Sequence, residues 1–378
     1  MTQAPAHEKR PPRPRAAAPG RKGLRTGFTT GACAAAAAKA AYLALLTGKF
    51  AGRVRITLPG GERPSFDLAL KELVDADIAR AGIIKDAGDD PDVTHGALII
   101  ARVRRLNDGR GVVFRAGQGV GTVTLPGLPL PPGEPAINPG PRLMIRAALR
   151  EALARASGAA NVPEEPHVEV EISIPGGEKL AAKTMNARLG IIGGLSVLGT
   201  SGIVRPYSCA AWIAAIREGV DVARALKLPH IVGATGRTSE RAARGFFDLP
   251  EQALIDMGNF AGGLLKYVRA HPVPRLTIAG GVARLAKLAQ GHMDLHSRRA
   301  RVDMQALARL AGVPRLATAN STAQAVNMAA EHGADLPARI AEAALGAMRR
   351  VLKEAPVRAG VLVVDRSGRV LAHAEEKA

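Results

Sequence analysis

Ten residues from Asp86 to His95, reading Asp-Ala-Gly-Asp-Asp-Pro-Asp-Val-Thr-His, hold four carboxylates and one imidazole. A group of that kind can move protons or hold a hard cation, since it offers both a base near neutrality and oxygen ligands. The same residues also suit a solvated turn whose Asp side chains satisfy backbone N–H groups. His292-x-Asp294-x-His296 sets three potential ligands at alternating positions, which a strand would turn to one face. So short a run also arises by chance, and no metal is assigned to it. Cys33 falls in the first turn of an Ala-rich stretch, where the helix dipole would favour a thiolate. The plainer reading is a small packed side chain.

Glycine-bearing turns form the second group. Gly190–Gly202 has five glycines in thirteen residues and leads into Arg205-Pro206. Unhindered N–H groups there could approach a ligand, or the segment could be a hinge between domains. It lacks the Gly-Lys-Ser/Thr ending of a P-loop. Val232–Glu240 sits where a strand ends and a helix starts. Gly233 and Gly236 leave room there, while Thr235, Thr238 and the helix N-terminus can hold hydroxyls or a carboxylate. Gly258-Asn259 and Gly280-Gly281 recur at the next two such turns. The spacing is not Gly-x-Gly-x-x-Gly, so a dinucleotide has little support.

The elements that carry these residues fall into two kinds. Thr29 or Thr30 can cap an Ala-rich helix over 32–46, which Gly48 can end. Val54–Leu58 and Ser65–Leu68 flank Pro59–Gly61 as a hairpin, and Ala97–Val103 and Val112–Arg115 flank Asn107-Asp108-Gly109 as a second. A helix follows over 142–156 and a strand over 168–174. Strands with two covering helices predict an N-terminal α+β domain of antiparallel strands over 25–190. From Ser208 the period becomes helical at Trp212, Ile216, Val220 and Ala223. Strands at 230–232, 253–257 and 276–279 then alternate with helices at 239–247, 260–270 and 282–289. That rhythm predicts a three-layer α/β domain with a mainly parallel sheet over 208–378, after a glycine-rich interdomain segment at 191–207. Further helices are expected at 304–311, 322–332 and 337–352, then a hairpin of Gly360–Val364 and Val370–Ala374.

Composition narrows the function classes. The chain has 378 residues, 47% hydrophobic and 22% charged, enough for two ordinary cores. Residues 1–24 read as a disordered basic tail with five prolines. With Arg25 included that tail carries +6 of the net +19, leaving +13 on the remainder. Such a surplus favours nucleic acid, an anionic surface or a small polycarboxylate, or it reflects a generally basic proteome. Aromatics are only 3%, which weakens any stacking surface for single-stranded nucleic acid. Two cysteines give no disulfide framework and fit a reducing cytoplasm. Lys39 breaks the apolar centre of the Ala-rich stretch, and no small-residue cleavage site follows it, so a secretion signal is not expected. No membrane association is expected, and the oligomeric state is open, a homo-oligomer included.

Several of these segments together resemble the CbiD family. They are Arg25-Thr-Gly-Phe-Thr-Thr-Gly-Ala-Cys-Ala-Ala-Ala-Ala, Asp89-Asp-Pro-Asp-Val-Thr-His-Gly and Gly194-Leu-Ser-Val-Leu-Gly-Thr-Ser-Gly-Ile-Val-Arg-Pro. Asn138-Pro-Gly-Pro-Arg, Thr235-Gly-Arg-Thr-Ser-Glu, Gly258-Asn-Phe and Leu285-Ala-Lys-Leu-Ala leading to His296-Ser297 follow in the family's order. The resemblance spans roughly residues 24–330 and departs from the family in the long basic tail and at His292 and Asp294. It implies cobalt-precorrin-5B C1-methylation, with S-adenosyl-L-methionine as methyl donor and a corrin ring bearing several carboxylates as substrate.

A basic site would anchor such a polyacid, and methyl transfer from a sulfonium needs in-line alignment more than a strong acid or nucleophile. On that reading Gly233, Thr235, Gly236, Thr238, Gly258 and Asn259 are expected at the donor. Thr29, Thr30, Arg205 and Arg237 are expected at the substrate. His95, or else His296, would take the proton released. The rival classes are a nucleic-acid-binding protein, a nicotinamide-dependent oxidoreductase and a carrier that delivers the intermediate without catalysis. Scattered basic residues and the missing dinucleotide fingerprint argue against the first two.

Overall fold

The computed structural model describes residues 23–158 and 165–377. The expected disorder of the basic tail falls on residues almost wholly outside that range. Contacts divide the chain into two units, Met1–Ser208 and Cys209–Ala378.

The first unit is α+β. Its main sheet runs β4 (Leu70–Leu73), β5 (Ile78–Ile84), β6 (Leu98–Arg105), β9 (Val168–Ser173), β7 (Val112–Ala116). One face buries Ala79, Ala81, Ile83, Ile99, Ala101, Val103, Val170 and Ile172, the alternation that a half-buried sheet requires. Helix α1 (Thr30–Thr47) packs on strands β5 and β6 and against helix α2 (Pro139–Ser157). It is therefore buried nearly all round and has little amphipathic character. Ala32 to Ala38 keep its radius small enough for that packing. Its one charge, Lys39, is 8% exposed and is satisfied by the Arg55 carbonyl at 2.7 Å and by Glu151. Among the described residues this is the one helix long and apolar enough to cross a membrane, and 83% of it lies inside the unit. Thr29 caps it through its hydroxyl, and Gly48 ends it in a left-handed conformation at φ 75°.

Strands β2 (Arg53–Arg55) and β3 (Ser65–Asp67) form the first expected hairpin. The second expected hairpin does not form. β6 and β7 run in opposite directions, but β9 lies between them, antiparallel to β6 and parallel to β7. Arg102 and Arg104 on β6 and Arg115 on β7 lie on one face of the sheet, on either side of β9. Glu169 on β9 pairs with all three. Burial by itself would raise the Glu169 carboxyl, and the arginines hold it below the ordinary range instead.

The second unit has a five-stranded sheet ordered β13 (Leu254–Asp256), β12 (His230–Ala234), β14 (Arg275–Gly281), β15 (Arg358–Val364), β16 (Val370–Glu375). All its pairings are parallel except the terminal β15–β16 hairpin. Ile231, Ile255, Ile278, Val361 and Val363 point to one face, with α4 (Cys209–Ala225), α6 (Ala261–Ala270), α7 (Val282–Ala289), α8 (Met304–Ala311), α9 (Thr322–Glu331) and α10 (Leu336–Leu352) packed there. Val232, Leu254, Ala279, Leu362 and Val364 point to the other face and meet α5 (Arg237–Phe247). Helices on both faces make this a three-layer α/β unit.

Candidate functional site

In the first unit, three segments far apart in sequence come together at the start of α1. Gly27 and Phe28 (β1) pair antiparallel with Val204 and Ile203 (β11). The Phe28 N–H donates to the Asp86 carbonyl at 2.8 Å, and the Asp89 N–H donates to the Arg25 carbonyl at 3.0 Å. Backbone meets backbone here, since a Cβ on Gly27 would lie 2.0 Å from the Ala87 carbonyl carbon. The Thr29 N–H reaches Gly202 and the Gly31 N–H reaches Leu198. The start of α2 joins the same assembly. Asn138 donates to the Val197 carbonyl, and a Cβ on Gly140 would sit 2.8 Å from the Gly199 oxygen.

Two partly buried ion pairs hold the acidic loop in shape. Arg25 grips Asp86 with both terminal nitrogens, one of them at 2.8 Å. Burial would raise the Asp86 carboxyl, but the Arg25 bond and the Gly88 N–H hold it below the usual carboxylate range. Lys85, 3% exposed, sends its ammonium to Thr30 Oγ1 at 3.2 Å, Asp92 Oδ2 at 2.5 Å and Thr94 Oγ1 at 2.5 Å. Burial pushes Asp92 up as well; Lys85 and Thr94 outweigh it and keep that carboxyl low. Sequence reasoning missed Arg25 and Lys85; Lys85, directly before the carboxylate run, was an available signal, whereas Arg25 lies 61 positions from Asp86 in sequence.

The predicted substrate residues divide accordingly. The Thr29 hydroxyl is occupied in capping α1 through the Ala32 N–H at 3.2 Å. Thr30 is 5% exposed and its hydroxyl faces Lys85, so neither threonine presents a free hydroxyl outward. Arg205 is exposed and, among the described residues, has no ion-pair partner. Arg142, the arginine of Asn138-Pro-Gly-Pro-Arg, folds back onto the Ile137 carbonyl and Glu134 and serves the α2 start.

The two predicted catalytic histidines share an unforeseen geometry. His95 Nδ1 accepts the Ala87 N–H at 3.1 Å, and His296 Nδ1 accepts the Arg298 N–H at 3.1 Å. A lone pair engaged in this way leaves the neutral ring's proton on Nε2, so each imidazole offers a donor outward. The His95 side chain is 46% exposed. His292, Asp294 and His296 do not lie on a strand; Asp294 accepts the His296 N–H at 3.0 Å and pairs with Arg299. Among the described residues no three His, Cys, Asp or Glu side chains are placed to hold a metal. Cys33 is fully buried, and loss of hydration pushes its thiol up to about 12, against the dipole-lowered value that its helix position suggested.

In the second unit the glycine turns lie at the carboxyl ends of the parallel strands. The chain leaves β12 toward β13 and leaves β14 toward β15, on the opposite side. The ends of adjacent β12 and β14 therefore form the kind of switch point at which open α/β sheets bind ligands. The Thr235 N–H donates to the Ala279 carbonyl at 3.0 Å, and Arg284 from α7 donates to the Thr235 carbonyl. A Cβ on Gly280 would lie 2.9 Å from Thr235 Oγ1, so an added methyl would press on the Thr235 side chain. Helices α8, α9 and α10 are capped by the side chains of Asp303, Ser321 and Asp335. Helices α5, α6 and α7, which follow β12, β13 and β14, have no side-chain cap. In α6 the Gly262 N–H is already taken by the Met293 carbonyl at 2.9 Å. The first turns of α5 and α7 follow strands β12 and β14, where an anion or hydroxyl can be accepted.

Individual residues fit this edge unequally. Gly236 begins α5 and is open except for Arg284, whose Nη1 would be 3.4 Å from a Cβ. Thr238 and Arg237 lie in the first turn of α5, and Arg237 is exposed. Thr235 is 3% exposed, its hydroxyl meets Ser239 at 3.4 Å and its backbone groups are bonded to Ala279 and Arg284, so it shapes this edge without presenting a free group. Gly258 and Asn259 form the next turn, where the Asn259 carbonyl accepts the Leu295 N–H. Gly233 lies inside β12, and a Cβ there would fall 2.2 Å from Leu264 Cδ2. The space it leaves is filled by the packed helix α6 and not by a ligand.

Comparison with known proteins agrees with the resemblance read from the motifs. The family profile CbiD matches residues 17–206, and that of the CbiD C-terminal domain matches residues 294–375. A cobalt-precorrin-5B C(1)-methyltransferase of Agrobacterium fabrum is 55% identical over 92% of this chain and 92% of its own length. One of Rhodospirillum rubrum is 55% identical over 93% of this chain and 97% of its own. The crystal structure of a cobalamin biosynthesis protein, cbiD, from Archaeoglobus fulgidus is 25% identical, with a TM-score of 0.39 over 82% of this chain and 86% of that one.

Proposed function

The chain belongs to the CbiD family, and from that premise we propose that it places a methyl group from S-adenosylmethionine on C1 of its corrin substrate. The activity is that of a cobalt-precorrin-5B C1-methyltransferase of cobalamin biosynthesis, the name carried by relatives 55% identical along nearly the whole chain. We place it in the cytoplasm, as its two unpaired cysteines suit.

One observation carries the donor site. The ends of β12 and β14 bring two uncapped helices and a glycine-lined edge together around Thr235. A sulfonium donor supplies an electrophilic methyl, and its sulfur leaves as a neutral thioether. The chain's own task is to hold and align. Backbone N–H groups of the 236–238 turn and of Gly281–Val282 can take ribose hydroxyls or the amino-acid carboxylate. The carbon nucleophile belongs to the macrocycle, so the protein needs no covalent nucleophile, in keeping with the deeply buried, protonated Cys33. Arg205 and Arg237, both exposed, suit substrate carboxylates. With Nδ1 held by Ala87, His95 presents Nε2–H and suits a further carboxylate or ring carbonyl as a donor. Proton acceptance at Nδ1 would first require that bond to break.

Incubation of the full chain with methyl-labelled S-adenosylmethionine and the purified macrocycle tests the proposal. One labelled methyl at C1 is expected by mass and NMR analysis. Label at another carbon, or none, refutes it.

A further inference from the structure

Trp212 is the chain's single tryptophan. It lies near the start of α4 and is 46% exposed, while Ile216, Val220 and Ala223 on the same stripe are buried. Despite that exposure the ring is fixed. Its Nε1–H donates to the Asp256 carbonyl at 3.0 Å, which ties the indole to the end of β13. Its benzo edge covers Gly258, where a Cβ would lie 3.1 Å from Cζ2. The Phe260 ring stands 6.2 Å away, tilted by 48°. β13 bonds directly to β12, so this aromatic corner adjoins the 235–238 turn along one sheet edge.

An indole with its only polar atom already bonded has a π face and an apolar edge left to offer. The fitting occupant is a flat ring that covers this face while its polar remainder reaches the neighbouring turn. The contacts that fix the indole are the Asp256 carbonyl, Gly258 and Phe260, a surface suited to a flat, uncharged ring. A purine is such a ring. We infer that Trp212 is the wall on which the purine of the nucleoside donor stacks. This deepens the donor site proposed above and rests on it.

The single tryptophan makes the test direct. The full chain is titrated with S-adenosylhomocysteine, adenosine and methionine, following tryptophan emission and, in parallel, the heat of binding. S-adenosylhomocysteine and adenosine are expected to quench the emission along the calorimetric isotherm, and methionine is not. Trp212→Ala is expected to weaken S-adenosylhomocysteine binding about tenfold or more, the loss of one base–aromatic stack, while Trp212→Phe retains most of it. Binding heat with unchanged emission and unchanged Trp212→Ala affinity overturns the inference and leaves the donor reading standing. Absence of any heat from S-adenosylhomocysteine overturns both.

Discussion

Arg25 and Asp86, separated by 61 positions in sequence, meet in a two-pronged ion pair at the root of the acidic loop. Arg25 is 37% exposed in its side chain and Asp86 only 6%, so the arginine acts as the lid that keeps a buried carboxylate ionised. Arg25→Gln strands that carboxylate. Solvent reaches the pair in part, and the expected cost is about 2 kcal/mol of stability, less than for a sealed pair. Urea titration measures it, and Arg25→Gln/Asp86→Asn together should recover part of the loss.

Lys85 is the deeper of the two clamps, and removing it leaves Asp92, Thr94 and Thr30 without their shared donor. Lys85→Met is expected to destabilise by about 3 kcal/mol. A double-mutant cycle with Asp92→Asn should show coupling above about 1 kcal/mol. Independent effects would show that the two side chains do not act as a pair.

His230 lies 6% exposed beside Thr277 and Phe247. Burial, then Arg275 and His373, bring its imidazole down to about 4 from an ordinary 6.5. The neutral ring is the folded form, so its contribution is complete above pH 6.5 and drains away as pH falls toward 4. The loss is on the order of 2 kcal/mol. Melting temperatures across that window should decline in the native chain and decline less in His230→Gln. Asp86 and Asp92, held low, add a further loss below their ordinary 3.8.

Two glycines on neighbouring strands should respond oppositely. Gly280→Ala pushes on Thr235 at the proposed donor edge and is expected to raise the KM for S-adenosylmethionine about tenfold at little cost in melting temperature. Gly233→Ala collides with Leu264 in the core and is expected to cost about 2 kcal/mol with the donor KM unchanged. Steady-state kinetics beside thermal melts separates the two.

His95→Gln keeps an N–H donor near the position of Nε2, whereas His95→Ala does not. If donation is its role, Gln retains activity within about tenfold and Ala loses roughly 100-fold, in the range of one charge-directed hydrogen bond. Equal losses in both variants would refute donation.

The second unit was legible because its physics is local. Short apolar runs alternating with helical stretches can only build parallel strands under helices, and the strands at Ile231 and Ile278 lie where that rhythm put them. The first unit was less so. Asn107-Asp108-Gly109 marked a reversal, but a turn does not reveal that a strand more than fifty residues onward will enter beside it. At Cys33 the helix position suggested a lowered thiol and the small side chain suggested packing; the structure shows the packed residue, with burial outweighing the helix dipole. The acidic loop was located correctly, yet its carboxylates looked solvent-facing because their partners, Arg25 and Lys85, stood outside it in the sequence.

The position of β9 between β6 and β7 also sets an order of assembly. β4, β5 and β6 pair in chain order, but β7 can join them only through β9, so this half of the sheet waits for Val168–Ser173, a long-range closure of the kind that slows folding.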